Sequence, residues 1–146
     1  MTAVRRAEPL DVSALSAMLL EMHQQTELPT PPINSEKMIG KVNELIHKGV
    51  VFVATDEGRI VGSVGGSIAQ DWWSDQPFLA DNWFYVTPQH RQSTTALKLI
   101  KSFIEVANEA KLPLRLGHIF SGDIERKDKL FEKLGIIKAG SVFVEN

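Results

Sequence analysis

The sequence contains no cysteine, a single tyrosine and no apolar segment long enough to cross a bilayer. The missing cysteines exclude a disulfide framework, a thiolate nucleophile and a cysteine-based metal site. Residues 1–6 include two arginines and lack the apolar core of a secretory signal peptide. We therefore expect a soluble, cytoplasmic protein with no membrane partner.

A strong net charge is also missing. The formal net charge is -2 and the pI is ≈ 6.1, which excludes the concentrated basic face of a nucleic-acid-binding protein. The charge is uneven, however: residues 1–90 hold 6 Lys and Arg against 11 Asp and Glu, whereas residues 91–146 hold 10 against 7. No Lys or Arg lies between Arg59 and Arg91, whereas Asp71, Asp75 and Asp81 do, so an amine-bearing ligand would be tolerated there; an uneven surface charge is the other interpretation. His23 and His47 have no partner at metal-ligand spacing, so we expect no metal site.

The apolar content is sufficient for a packed core. It amounts to 43% of 146 residues, and no linker or repeat divides the chain, so we predict one domain over residues 1–146. Hydrophobic periodicity predicts elements in the order β α α β β β α β α β. The predicted strands are 4–8, 50–54, 60–68, 79–86, 112–119 and 141–144. The predicted helices are 12–25, 35–48, 92–110 and 124–134.

The connections between these elements predict a mixed α/β fold with a mostly antiparallel sheet. The short connection 55–59 indicates an antiparallel hairpin. The strand at 112–119 follows a crossover helix and should lie parallel to the strand at 79–86. Glycines at 62, 65 and 66 indicate a bulge or the close approach of another group.

The turn after Val86 has the chemistry of an anion site. Pro88 ends a strand, Arg91 supplies a fixed positive charge, and small residues follow at the start of a helix. The first turn of a helix has unpaired N-H groups and the positive end of the helix dipole, so a phosphate could approach there. Capping by Ser93, Thr94 or Thr95 alone is the other interpretation of the same residues.

The element order, the strand-turn-helix at 82–110 and the segment Leu130-Phe131-Glu132-Lys133-Leu134-Gly135-Ile136 together resemble the GCN5-related N-acetyltransferase (GNAT) family. The resemblance covers nearly the whole chain. It implies that the strands at 79–86 and 114–119 splay apart and that acetyl-CoA lies in the gap as cosubstrate. The cofactor-binding residues that it implies are Tyr85, Val86, Arg91, Gln92, Ser93, Thr94, Thr95, Ala96 and Phe131.

Two positions depart from the family pattern. The phosphate-binding pattern of the family is Arg/Gln-x-x-Gly-x-Gly/Ala, whereas this chain has Thr94 at the first glycine position. The loop is similar to the degenerate loops of phage-encoded members, for which the compartment would be the host cytoplasm. Phe131 stands where many members have a tyrosine that protonates the departing thiolate, so Ser121, a water molecule or no group at all would take that role.

Asp81 and His118 are the candidate general bases. Many family members use a carboxylate on the strand before the phosphate loop, and strand alternation places Asp81 on the same face as Trp83 and Tyr85. The pKa of a histidine suits the same task. The ordinary alternatives are a solvated aspartate at a strand start and a packed histidine.

The acceptor is expected to be a small-molecule or peptide amine. The loop with Asp71, Trp72, Trp73 and Asp75 could form one wall of its site, with the carboxylates attracting a cation, or could anchor the core. In this family the loop at 27–33 would be the opposite wall, and its prolines would make it stiff.

The sequence thus favours an acetyl-CoA-dependent N-acetyltransferase that works by direct attack, since no activated nucleophile is visible. A catalytically weak GNAT-fold module that binds CoA or a protein partner is the alternative, motivated by Thr94 and Phe131. An unrelated α/β interaction domain is a third. The sequence does not decide whether the chain forms a homodimer.

Overall fold

The computed structural model describes residues 2–26, 29–117 and 124–145. Its strands are β1 (Ala3–Arg6), β2 (Val50–Asp56), β3 (Arg59–Gln70), β4 (Pro77–Val86) and β5 (Leu114–Arg115). Its helices are α1 (Val12–Gln24), α2 (Ser35–Lys48), α3 (Thr95–Glu109) and α4 (Ile124–Lys133). Short 3-10 helices at Pro9–Asp11 and Pro88–His90 precede α1 and α3.

The described strands form a sheet in the order β1-β2-β3-β4-β5. The first three pairings are antiparallel, and β5 runs parallel to β4. The mixed, mostly antiparallel sheet with one parallel pair confirms the predicted fold class. The parallel pair is short, because its register joins only Leu79 to Leu114 and Ala80 to Arg115.

Side-chain alternation along the strands builds an apolar cluster on each face of the sheet. Trp83 and Tyr85 of β4 pack with buried residues of α1 and α2 on one face. Phe84 and Val86 pack with buried residues of α3 and with Phe131 of α4 on the other. The centre of β4 is therefore buried on both sides, which fixes its backbone.

The predicted helix start at residue 92 is wrong, because α3 begins at Thr95. The 3-10 helix Pro88–His90 occupies the connection instead. The Ser93 hydroxyl donates to the His90 carbonyl oxygen over 2.5 Å and accepts from the Thr95 N-H over 3.3 Å. Ser93 thus links the two turns, while the N-cap residue of α3 is Thr94, whose side chain makes no capping hydrogen bond.

Two predicted strands also need correction. In the described chain β5 covers two residues rather than 112–119, because the Gly117 N-H donates to the Asp81 side chain instead of pairing with β4. Residues 141–144 are described, and no strand includes them. Val142 and Phe143 are 65% and 93% exposed. Alternation of residue types is insufficient for a strand where no neighbouring strand supplies hydrogen bonds.

Candidate functional site

A β-bulge in β4 shapes the centre of the site. Asp81 pairs with Gly66 and Trp83 pairs with Gly65, so Asn82 is the extra residue. A Cβ atom at Gly66 would overlap the carbonyl oxygen of Ala80, which confirms the close approach predicted from the strand glycines. The bulge interrupts the strand alternation from which Asp81 was predicted to lie on the face of Trp83, and the two residues line the same cavity.

The bulge also changes which backbone groups of β4 point away from β3, toward the opposite edge of the strand. The carbonyl oxygens of Phe84 and Val86 accept hydrogen bonds from Lys127 Nζ (2.5 Å) and Arg91 Nε (2.9 Å). The N-H and C=O of one strand residue point to the same side, so the N-H groups of Phe84 and Val86 lie on this edge too. The pairing with β5 reaches only Ala80, and beyond it this edge borders a cleft.

This cleft, which we call the basic cleft, lies between the end of β4, the turn at 91–93, the start of α3 and α4. Its volume is about 670 Å³. Only Glu125 among its described lining side chains is acidic. The basic side chains that line it are Arg91, Arg126, Lys127, Lys129 and Lys133. Such a surface is suited to a ligand that carries several phosphates.

The turn at 91–96 contributes unevenly to the basic cleft. Gln92, Ser93 and Ala96 line it, together with Tyr85 and Val86. Thr95 is fully buried, and its hydroxyl bonds to Thr2 and Ser93. Thr94 is exposed and is not among the lining residues. The small side chains thus leave the start of α3 open to a ligand.

Arg91 holds the turn as well as lining the cleft. Its guanidinium donates to the Val86 carbonyl oxygen and to Gln25 Oε1 over 3.0 Å, and it lies 5.3 Å from the centre of the Tyr85 ring. Burial raises the pKa of the Tyr85 phenol above its ordinary value. Tyr85 is therefore a neutral, packed side chain at neutral pH.

Phe131 lies in the core. It is 7% exposed, and its ring stacks on that of Phe84 with the centroids 5.9 Å apart. It is not among the described residues that line the basic cleft. Its position supports the backbone of β4 through Phe84.

A second cavity, the aspartate cavity, lies on the other side of Phe84 and has a volume of about 910 Å³. Residues 81–84 of β4 form its floor, and α1, α2 and Gly117 surround it. Thr30, Pro31, Pro32 and Ile33 line it, as expected for the proline-containing loop. Its charged or titratable side chains are His23, Lys37, Lys41 and Asp81.

Asp81 lies on β4 and lines the aspartate cavity. Its Oδ1 accepts from the Gly117 N-H over 2.8 Å, and its Oδ2 is buried without a hydrogen-bond partner among the described residues. Burial raises the pKa of this carboxyl to about 6, while the Gly117 N-H and the charge of Lys127 act in the opposite direction. A group with this pKa can accept a proton near neutral pH.

The loop at 71–75 lies apart from both cavities. Trp72 and Trp73 are 95% and 68% exposed, and neither lines the aspartate cavity. Asp71 accepts two hydrogen bonds from Arg115, and the Asp75 backbone carbonyl accepts from Gln70. The ion pair joins the loop to β5, which contains Arg115. His118, Ser121 and residue 27 of the predicted loop lie outside the described residues.

Sequence reasoning missed the basic residues of α4 and the α1 and α2 residues that surround Asp81. The excess of Lys and Arg after residue 90 was the available sign of the first group. Nothing local marks the second group, because its members are polar or apolar residues of ordinary amphipathic helices.

The described residues contain no group of three or more His, Asp or Glu side chains placed to hold a metal ion. None of the described helices combines the length and apolar character that a membrane crossing requires.

Solved structures with the same fold include acetyltransferases of low sequence identity. An acetyltransferase from Trypanosoma brucei is 19% identical with a TM-score of 0.73, covering 100% of this chain and 99% of that one. A predicted acetyltransferase from Clostridium acetobutylicum, solved with acetyl-CoA, is 15% identical with a TM-score of 0.76, covering 100% and 96%. The aminoglycoside N-acetyltransferase AAC(6')-Iy, solved with CoA, is 16% identical with a TM-score of 0.74, covering 100% and 94%.

Sequence comparison assigns the family directly. A comparison with curated protein sequences gives no significant match. The sequence model of the acetyltransferase (GNAT) family matches residues 15–136, which is most of the chain and includes the bulge, the turn and α4. This chain therefore belongs to the GNAT family of acetyltransferases.

Proposed function

We propose that this chain is an N-acetyltransferase that moves the acetyl group of acetyl-CoA directly to a primary amine. The observation that carries the proposal is the meeting of the two cavities at Phe84, with Asp81 in one and five basic side chains in the other. Acetyl-CoA would occupy the basic cleft, and the amine would enter the aspartate cavity. The attack would take place where β4 separates them.

The basic cleft has the chemistry that CoA requires. Its phosphates would meet the basic residues of α4 and the N-H groups at the start of α3. Its amide groups would pair with the edge of β4 beyond Ala80, as an added strand does. Thr94 stands where glycine is usual in the family, but its exposed side chain leaves the cleft open, so the departure is compatible with binding.

Asp81 would act as the general base, taking a proton from the attacking ammonium group. With a pKa of about 6 it is largely ionised at pH 7 and still accepts a proton readily. Lys37 and Lys41 in the same cavity favour an acceptor that carries a carboxylate or another anion beside its amine. The rate should therefore fall as the pH drops below about 6, where Asp81 becomes protonated.

Cofactor binding is tested by thermal denaturation with acetyl-CoA and with free CoA. A ligand at 100 times its dissociation constant adds about 2.7 kcal/mol to the free energy of unfolding, so both should raise Tm. No change at millimolar cofactor would contradict the proposal and the alternative of a CoA-binding module alike.

Acetyl transfer is tested by thiol release with amino acids, peptides, polyamines and aminoglycosides. The chain has no cysteine, so a thiol reagent would report CoA alone. Asp81→Asn should lower kcat about 10²- to 10⁴-fold and leave the Tm shift with CoA unchanged. Glu105→Gln, on the exposed face of α3, is the control. Binding without release for any acceptor would favour the module with weak or no activity.

A further inference from the structure

We propose that Lys127 is a catalytic residue of this reaction, with its ammonium group beside the thioester sulfur, where it stabilises the departing CoA thiolate. The inference rests on the proposed function and gives a second, more specific role to one of the five cations of the basic cleft. Lys127 is the buried lysine of α4, and it is 9% exposed.

The position of the Lys127 side chain is fixed by β4. Its Nζ donates to the Phe84 carbonyl oxygen over 2.5 Å and lies 5.5 Å from the centre of the Phe84 ring. A carbonyl oxygen and an aromatic face are both groups to which an ammonium is attracted. The ammonium therefore lies at the edge of β4 that borders the basic cleft.

This edge is also where the reaction must take place. The acetyl donor would lie in the basic cleft and the amine in the aspartate cavity, and Phe84 lines both. The carbon under attack must be reachable from each cavity, so it has to lie next to Phe84. Lys127 bonds to that same residue and lowers the pKa of Asp81 through its charge, so it is close to the group proposed as the base.

A positive charge next to Phe84 would stabilise the leaving group of the reaction. Phe131 has no proton to donate, and its ring is packed against Phe84. A negative charge that develops on sulfur in a partly desolvated site is stabilised far more by a fixed cation than it would be in water. Among the described residues, Arg91 on the turn and Glu125, Arg126, Lys129 and Lys133 on α4 line the basic cleft with Lys127, and the charge of Lys127 also acts on Asp81 of β4.

The bonds and protons balance as follows. The amine, after giving a proton to Asp81, forms a C-N bond to the acetyl carbon, and the C-S bond breaks with its electron pair on sulfur. The ammonium of Lys127 stabilises the thiolate through its charge and keeps its own proton. The protonated amide nitrogen loses its extra proton, and the thiolate takes up one proton to become the thiol. The products are the acetylated amine and CoA thiol, with one net proton released through Asp81.

The test measures the pKa of the CoA thiol when it is bound to the protein, which needs no knowledge of the acceptor. The rate of alkylation by iodoacetamide is followed against pH, and the absence of cysteine makes CoA the only thiol present. We expect the wild type to lower the thiol pKa by about one unit or more relative to free CoA. Lys127→Met should abolish this lowering, and Lys127→Arg should keep it.

Two further variants distinguish the electrostatic effect of Lys127 from its structural contact with Phe84. Lys127→Gln keeps an N-H donor for the Phe84 carbonyl but lacks the charge, so it should behave as Lys127→Met does. Lys101→Met, on the exposed face of α3, removes a cation elsewhere and should leave the thiol pKa unchanged. In acetyl transfer, Lys127→Met should lower kcat about 10²-fold with little change in KM, and the acid limb of its pH profile should move upward as Asp81 loses a neighbouring cation.

The outcomes are distinct. If CoA does not bind the wild type, the proposed function and the role of Lys127 both fail. If CoA binds and its thiol pKa is the same in the wild type, Lys127→Gln and Lys127→Met, the role of Lys127 fails alone. If Lys127→Gln retains the wild-type thiol pKa and kcat whereas Lys127→Met does not, the side chain is a structural donor to Phe84 and the inference is overturned.

Discussion

The basic cleft and the aspartate cavity lie on either side of Phe84 and are built in different ways. The basic cleft is made by segments that follow one another along the chain, namely the end of β4, the turn, the start of α3 and, after β5, α4. The aspartate cavity combines parts of α1, α2, the loop before α2 and a bulge in β4.

This difference determines how well each cavity could be predicted from the sequence. A strand followed by a proline turn, an arginine and small residues is a local pattern with a direct chemical meaning. A buried carboxyl acquires its properties from residues far away along the chain, so the pKa of Asp81 depends on burial that no local pattern shows. Substitutions in the aspartate cavity should therefore change stability and activity, whereas substitutions in the basic cleft should change the affinity for CoA.

The largest expected effect on stability is at Asp81. Because folding raises the pKa of this carboxyl from 3.8 to about 6, its contribution to stability is fully present below pH 4 and is lost as the pH rises through 6. Asp81→Asn removes the buried charge, so at pH 7 to 8 the variant should be more stable by about 3 kcal/mol although its kcat is lower.

Urea denaturation between pH 4 and 8 measures this gain. The difference from the wild type should shrink towards zero near pH 4, where both side chains are neutral. A constant difference across the range, or a loss of stability at pH 8, would show that the Asp81 carboxyl is not desolvated in the folded protein.

The bulge that positions Asp81 depends on a missing side chain at Gly66. Gly66→Ala would drive a methyl group into the Ala80 carbonyl, so we expect a loss of about 1–3 kcal/mol and a drop in acetyl transfer. Gly40→Ala, in α2, meets nothing within 4 Å and should raise stability by about 0.5–1 kcal/mol. Thermal denaturation of both variants should give shifts of opposite sign, and two equal shifts would contradict the assigned register.

The basic cleft should respond through affinity rather than stability. Replacing Lys129 and Lys133 with glutamine removes two exposed cations from its lining. We expect a roughly tenfold weaker Kd for CoA, a smaller dependence of Kd on salt, and an unchanged free energy of unfolding. Calorimetric titration at two salt concentrations measures the effect. A salt dependence equal to that of the wild type would mean that the phosphates bind elsewhere.

The smallest expected effect is at the exposed tryptophans. Trp72 and Trp73 lie outside the aspartate cavity, so alanine at each position should change the KM for the acceptor less than twofold and leave Tm nearly unchanged. Steady-state kinetics checks this. A large rise in KM would support the sequence-based hypothesis that the loop forms a wall of the acceptor site.

Much of the fold could be predicted from local patterns. The four helices and the hairpin follow from periodicity and turn residues, and the strand glycines indicated the bulge. The family resemblance is confirmed by the match over residues 15–136. The strand predicted at 141–144 failed because its alternation carries no information about a pairing partner.

The candidate site was predictable in part. Arg91, Gln92, Ser93 and Ala96 line the basic cleft, as the turn pattern suggested, whereas Thr95 points to Thr2 and the core. The loop with Trp72 and Trp73 was chosen for its residue types, but neither tryptophan lines the aspartate cavity, and Asp71 pairs with Arg115 of β5. Lys127 was not singled out, since a single lysine among several on one helix looks like part of a solvated surface.

The sequence by itself determined the order of the elements from β1 to α4, the turn with Arg91 and small residues, and the lack of any cysteine chemistry, because these depend on residues that are adjacent or absent. Only the tertiary structure decided which charged groups meet at Phe84. Asp81 and Lys127 are 46 positions apart in the sequence, and their burial and mutual influence arise only when α4 packs against β4. Electrostatic interactions depend on distance and desolvation in the folded state, and neither is encoded in the spacing of residues along the chain.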